Sequence, residues 1–594
     1  MTQRYHSPLI FLLLVLPGCF SALYAQKDTT RLNQEVEVVK AYRPSVSNAE
    51  KISLLPEISD TTKFRPGLNY KTGSHPVTTG FQSSDVKAYN QFKREIAYPG
   101  IGRISGGFGS YLTPFADLYI SNPNSQNGTL GLQLNHLSSL GTNVKLKGGS
   151  TTDAPFSRNR ALIFGSYVFE GVTISSELAY QRDMNRFYGY PVAIPDDIMT
   201  DNFVKYFNQD QMNQLGYFDL AVKNNASSKS NLRFDAGINL GYFNTSTDQV
   251  EKAMRFKSGW NYNFGSFAGK LIANFDHFDT ENVTFFPDFA ILNSITSTWI
   301  QLSPTLLYQT GSLSLEGGLN LYSVFGNSDE TSFKPYPKIN IAFQTDENKL
   351  TFYAGMDGYL QNNNYSKIAA ENRWINPTLK VHPTNLPGIF YGGIKGKIAT
   401  PFTFDIGLKY SKTEDQYFFV TRVENRSGNI NPSLADLTYN NAFEVVYDNL
   451  NTLDFYGNLT YTAPGLFLLL SGHFYGYEVS SLENAPYMPD FTLNAVSRFT
   501  LTDKISAMAE FFLTGPRNIM LQYYLPPVSS ALPPPPVYLK ADAMAELNIG
   551  ANYLFAKDLE LFGKIENLLN RKDEPWYGYT VQGIRFKVGV SFSF

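Results

Sequence analysis

The chain has 594 residues, of which 17% are charged and 15% aromatic, with a formal net charge of -3 and a single cysteine. That balance offers no electrostatic footprint for nucleic acid, and the slightly negative mean hydropathy excludes a bundle of membrane-spanning helices. Low charge, many aromatic residues and no helical span fit an all-β chain forming a large transmembrane antiparallel β-barrel, in which only every second strand residue faces lipid.

The amino-terminus reads as an export signal. Arg4 supplies a short positive region, Leu9 to Leu16 an apolar core too short to span a bilayer, and Ala25 precedes Gln26 at a cleavage point. Leu16-Pro17-Gly18-Cys19 also resembles a lipoprotein processing site, although proline is an odd residue there. The reading adopted is a signal peptide over 1–25, cleaved after Ala25 without lipid. Cys19 then leaves with it, and disulfides, thiolate zinc ligands and thiol catalysis are removed together. That suits passage through an oxidising periplasm.

Residues 26–100 carry few alternating runs and several prolines, among them Pro44, Pro56, Pro66 and Pro76. They read as a short periplasmic or lumenal segment, with one strand-like run at Glu35-Val36-Glu37-Val38-Val39.

Residues 101–594 read as the barrel, because there the hydrophobic period becomes two. Leu232, Phe234, Ala236, Ile238, Leu240 and Tyr242 alternate with Arg233, Asp235, Gly237, Asn239 and Gly241. Phe402, Phe404, Ile406, Leu408 and Tyr410 alternate with Thr403, Asp405, Gly407, Lys409 and Ser411. A helix would mix these two sets on one face, whereas a strand sorts them. The stretch 103–122 reads either as one long first strand or as two short ones broken at Pro114. Connections alternate between tight turns, such as Glu170-Gly171 and Ala463-Pro464-Gly465, and long loops near 189–213, 280–294, 364–383, 421–441 and 522–536. Tight periplasmic turns and longer outside loops are the asymmetry of outer-membrane barrels, and counting them gives about eleven outside loops and about 22 strands. A barrel of that width is not filled by its own side chains, so something must occupy the lumen.

Chemistry-bearing residues are sparse. Asp276, His277 and Asp279 lie together, but on an alternating strand Asp276 and His277 face opposite sides, so a polar strand end is the expected role and no metal or other cofactor is assigned. Neither a nucleophile elbow nor a zincin motif nor a phosphate-cradling loop is present, and the chain is not expected to be an enzyme. Pro533 to Pro536 form a stiff extended element in an outside loop. Tyr188, Tyr190, Tyr206, Phe207 and Tyr217 lie around the 189–213 loop, open to two readings, stacking on a ligand or packing on the loops. Lumen-facing charges of mixed sign are expected at Lys145, Lys147, Arg233, Asp235, Asp405, Lys409, Arg585 and Lys587.

The carboxy-terminus is the most informative stretch. From Ile584, the residues Ile584, Phe586, Val588, Val590, Phe592 and Phe594 alternate with Arg585, Lys587, Gly589, Ser591 and Ser593, and the chain stops on an aromatic residue. A final strand ending on Phe592 and Phe594 is the signal read by the outer-membrane barrel assembly machinery, which is therefore an expected partner along with outer-membrane lipid. Upstream, Leu561 to Lys572 contains Asn567-Leu568-Leu569-Asn570, followed by Trp576-Tyr577-Gly578-Tyr579 and Gly583-Ile584-Arg585-Phe586. This succession resembles the end of TonB-dependent receptors, with Ile584 inserted between the family's Gly and Arg. Asn567 and Asn570 are read as turn formers at a strand end, and Trp576, Tyr577 and Tyr579 as an aromatic girdle at the membrane interface.

The resemblance implies a bacterial outer-membrane receptor or transporter with both termini in the periplasm, taking up or binding a nutrient ligand. It also implies a plug, for which residues 26–100 are too few, so the full plug domain is expected to be missing. Within that segment Glu35, Val36, Glu37, Val38, Val39, Lys40, Ala41 and Tyr42 resemble a TonB box, which would add a strand to the edge of a sheet in TonB. The alternative is a structural barrel subunit that binds other envelope proteins, or a plug-less porin.

Overall fold

The computed structural model describes residues 101–594 apart from 123–126, 148, 191–203, 226–230, 286–289, 327–331, 346–349, 377–378, 380, 400, 426–436 and 525–534. The signal over 1–25, the segment 26–100 and the run Glu35–Tyr42 lie outside the described residues.

Twenty-six strands are present among the described residues. Two of them, Val144–Lys145 and Thr151–Thr152, form a separate small sheet, and Arg517–Tyr524 and Val537–Ala541 form a hairpin that is not part of the wall. The remaining 22 pair antiparallel, each with its neighbours in sequence, into a closed ring. Closure is made by the first strand, Gly102–Gly109, which pairs with Thr113–Ser121 on one side and with the last strand, Arg585–Ser593, on the other. At the seam the Gly102 N–H donates to the Phe594 carbonyl (3.0 Å) and the Phe594 N–H to the Gly102 carbonyl (2.9 Å). A closed ring leaves no unpaired strand edge, which the hydrocarbon would not tolerate.

The alternation sorts as expected. Phe586, Val588, Val590, Phe592 and Phe594 are 44–55% exposed on the outer face, while Ser591 between them is 2% exposed. Leu240 and Tyr242, and likewise Ile406, Leu408 and Tyr410, also point outward. These residues make the surface that meets lipid.

The stretch 103–122 is two strands. They are broken at Ser110-Tyr111-Leu112, where Tyr111 and Leu112 take positive φ of 59° and 50°, and Pro114 sits inside the second strand opposite Phe108. The break therefore falls before the proline, at the turn.

Tight turns such as 169–171, 265–266, 311–312 and 557–558 gather at one rim, together with residues 101 and 594. The long connections gather at the other rim, including 188–208, 362–383, 515–543 and 567–584. Three expected loops differ in detail. The 280–294 region is largely strand, within Phe267–Phe285 and Ala290–Thr310. The 421–441 region shrinks because Phe402–Asn425 and Leu437–Ala463 run for 24 and 27 residues, well over the ~10 needed to cross a bilayer. In the 522–536 region, Gln522 to Tyr524 end the first strand of the hairpin, which lies parallel to the top of Phe402–Asn425, with Thr421 opposite Leu521 and Glu424 opposite Tyr524.

Candidate functional site

Around the ring, the loop 188–208 leaves the wall between the fifth and sixth strands, 362–383 between the thirteenth and fourteenth, and 567–584 between the last two. They start from three well-separated points of a ring about 40 Å across. They nevertheless meet. The rings of Tyr188 and Tyr579 are 5.0 Å apart, those of Trp374 and Tyr579 4.1 Å apart and stacked, and those of Tyr188 and Trp374 5.9 Å apart and edge-on. Contact among loops from three sides builds a packed cap at that rim. Its core includes Tyr365, Ile368, Ile375, Tyr439 and Phe443, all 2% exposed or less.

Local sequence explains how each loop is held. In 362–383 a short helix, Tyr365–Glu371, is capped by Asn364, whose side chain accepts from the Lys367 N–H (3.3 Å). The Glu251 carboxylate, on a wall strand, accepts from the N–H groups of Tyr365 (2.6 Å) and Ser366 (3.0 Å). Seven residues are too few for a helix to persist alone, so Glu251 and the buried faces of Tyr365 and Ile368 fix it in place.

In 567–584, Asn567 and Asn570 both take φ of 51°. The Asn567 amide donates to the carbonyls of Arg571 (2.8 Å) and Gln582 (3.1 Å), and the Asn570 side-chain oxygen accepts from the Ile584 N–H (3.1 Å), which cinches the base of the loop. At its tip Gly578 has φ of 80°, and a Cβ there would run into the Tyr190 carbonyl, so only glycine lets the two loops touch. Arg517, 7% exposed, donates to the carbonyls of Glu574 (2.8 Å) and Pro575 (2.9 Å) and so ties the hairpin to this loop.

The aromatic residues expected at the membrane interface are placed differently. Tyr577 and Tyr579 are 5% and 1% exposed inside the cap, and Trp576 packs on Phe419, Phe443 and Tyr487. The reason is geometric: the strand Leu559–Glu566 ends well before them, and the loop carries them inward rather than along the wall. Of the two readings of Tyr188, Tyr190, Tyr206 and Phe207, packing on the loops holds, for all four belong to the cap. His277 bonds to the Thr298 hydroxyl (2.9 Å), and no group of metal-binding side chains exists among the described residues. Lys145 and Lys147 lie in the 140–155 loop rather than on the wall, and Lys147 pairs with Asp542 (3.0 Å). Arg585 and Lys587 do face inward, and both pair with Glu566 (3.2 and 3.1 Å).

Between the cap and the wall is a cavity of about 310 Å³. Tyr188 and Trp374 line it from the cap, and Arg158, Arg186, Arg373, Arg585 and Lys587 bring five cations to it, against Glu566. Burial together with the like charge of Arg158 pushes Arg373 down to about 10. Elsewhere in the cap, burial pushes Glu574 up to about 7 and Lys367 down to about 8. Sequence reading did not single out Arg158 or Arg373. The available signal was the Phe156-x-Arg158 and Arg373-Trp374 juxtapositions of guanidinium and ring.

No protein-family model matches the chain, and no curated protein is similar to it in sequence. Solved structures are similar in fold. The FrpB iron transporter from Neisseria meningitidis superposes with a TM-score of 0.61 at 11% identity, covering 84% of this chain and 82% of that one. The siderophore receptor PirA from Acinetobacter baumannii gives 0.56 at 10%, over 83% and 80% of the two chains. The ferric-catecholate import receptor Fiu from K12 E. coli gives 0.56 at 10%, over 83% and 81%. At such identities the likeness is one of architecture, and the barrel has the fold of the TonB-dependent receptors.

Proposed function

We propose that the chain is a bacterial outer-membrane receptor or transporter that binds or takes up a nutrient ligand from its long-loop rim. The carrying observation is the capped mouth. Three loops from well-separated parts of the ring converge on Tyr188, Trp374 and Tyr579, with a cation-lined cavity directly against them. A packed cap opposes free diffusion and so disfavours the plug-less porin, while a cation-lined cleft beside it suits selective binding. The fold it shares with iron transporters and siderophore receptors fits the same reading. In this reading the long-loop rim faces outward, both termini are periplasmic, and Glu35–Tyr42 contacts TonB as an added strand. The barrel assembly machinery recognises the Phe592 and Phe594 strand.

The test is deletion of residues 35–42, with outer-membrane insertion verified. Fitness is then compared with the parent across defined media, each limited in a single nutrient. Loss of fitness in one medium is expected; equal fitness in every medium overturns energised uptake.

A further inference from the structure

We infer that the cavity under the cap is an oxyanion site, holding a carboxylate or phosphoryl group of a small ligand between Arg158 and Arg373. The inference deepens the receptor reading and rests on it for its physiological meaning, but binding itself can be tested on the isolated protein.

Three of the five cations on the cavity are already neutralised. Arg186 pairs with Asp210 (2.7 Å), Arg585 with Glu566 (3.2 Å) and Glu546 (3.0 Å), and Lys587 with Glu566 (3.1 Å). Arg158 and Arg373 have no carboxylate within ion-pair distance among the described residues. The acid whose charge reaches both is Asp183, directly across the strand pair from Arg158. One of its oxygens is held by the Gln181 amide (2.7 Å), and the other is buried without a partner. Two guanidiniums thus share one acid that touches neither.

Their presentation matters as much as their charge. The Arg158 guanidinium lies over the Phe156 ring at 5.4 Å and that of Arg373 over the Trp374 ring at 5.7 Å. Ring stacking leaves the N–H edges free to donate. Of the five N–H donors of a guanidinium, Arg373 uses one on the Asn185 side-chain oxygen (3.0 Å), and Arg158 donates to no described group. Arg158 remains accessible from the cavity. Two stacked forks in one cleft are the arrangement that grips a planar or tetrahedral oxyanion by paired N–H···O bonds. The cavity, about 310 Å³, is at the small end of the usual range for ligand sites.

The full chain, purified in detergent, is titrated by calorimetry with inorganic phosphate and, separately, with citrate, each against chloride at matched ionic strength. Saturable binding of at least one probe is expected, phosphate alone indicating a phosphoryl ligand and citrate alone a carboxylate. Arg158→Gln and Arg373→Gln should each weaken it about tenfold or more, and Arg373→Lys should recover part of the loss. Gel-shift heat modifiability checks that each variant is a folded barrel. Failure of wild-type protein to bind either probe above chloride overturns the site, as does binding unchanged in both folded variants. Because the titration needs no TonB and no uptake, a failed deletion of residues 35–42 and a failed titration refute separate statements.

Discussion

Tyr579→Ala is the sharpest perturbation of the cap. Tyr579 is 1% exposed, stacks on Trp374 at 4.1 Å, meets Tyr188 at 5.0 Å, and its hydroxyl donates to the Asn441 carbonyl at 2.7 Å. It makes the two shortest of the three ring contacts that join the loops. Truncation removes a buried aromatic side chain, and the surrounding rings cannot collapse freely because each is tethered to its own loop base. A loss of about 3 kcal/mol is the lower figure expected for such a deletion, which raises the opening equilibrium of the cap ~150-fold. Amide hydrogen exchange over 567–584 reads this directly, since the Tyr579 N–H is held by the Trp576 carbonyl (2.8 Å). Exchange there should accelerate by about that factor while the wall strands keep their protection. Tyr579→Phe keeps the ring and strands only the Asn441 carbonyl, which should cost about 1 to 2 kcal/mol. Unchanged exchange in the alanine variant would refute the reasoning. So would an equal loss of protection in the wall, because the cap would then not be a separate unit.

Further predictions concern the cap's fastenings and the seam. Glu574 is pushed up to about 7 from an ordinary 4.5, so the opened loop loses its proton first; cap stability should fall as pH rises from about 4.5 to about 7 and stay flat above, and Glu574→Gln should abolish that slope in tryptophan fluorescence. Arg517→Met leaves the Glu574 and Pro575 carbonyls without their donor and should loosen the hairpin by about 2 kcal/mol, seen as protease cleavage within 517–541 while the wall stays intact. Removal of Phe594 deletes both seam hydrogen bonds to Gly102 and the aromatic end of the strand; outer-membrane abundance should drop while protein refolded in detergent still shows heat modifiability.

The wall was legible in the sequence because a strand's period of two is imposed locally, residue by residue, by which face meets lipid. The run from Ile584 to Phe594 needed no tertiary information to be sorted. Turn lengths gave the strand count for the same reason. The cap was not legible. Trp576, Tyr577 and Tyr579 looked like interface residues because aromatic side chains close to a strand end usually are, and what carries them inward is a turn set by Asn567 and Asn570 whose direction the sequence does not encode. Their partners, Tyr188 and Trp374, are some 200 residues or more away in the chain and share no periodicity with them. The hairpin was hidden likewise: its first strand, Arg517–Tyr524, mostly precedes the loop expected near 522–536 and pairs in parallel with a strand about a hundred residues earlier. Gly189 and Gly578, each flanked by tyrosines, were the visible hint, since a freely solvated loop has no need of such close approach.

The three-point meeting of the loops also bears on the mechanics of the ring. A hoop of 22 strands held only by lateral hydrogen bonds is soft toward squashing into an oval. Two anchors joined across it would stiffen one diameter alone. Three spokes fastened at one hub, at Tyr188, Trp374 and Tyr579, resist flattening along every diameter at that rim. The opposite rim, bound by tight turns, has no such hub among the described residues. Lateral pressure from the surrounding lipid therefore deforms the two ends unequally, and any event that releases the hub makes the whole circumference more compliant.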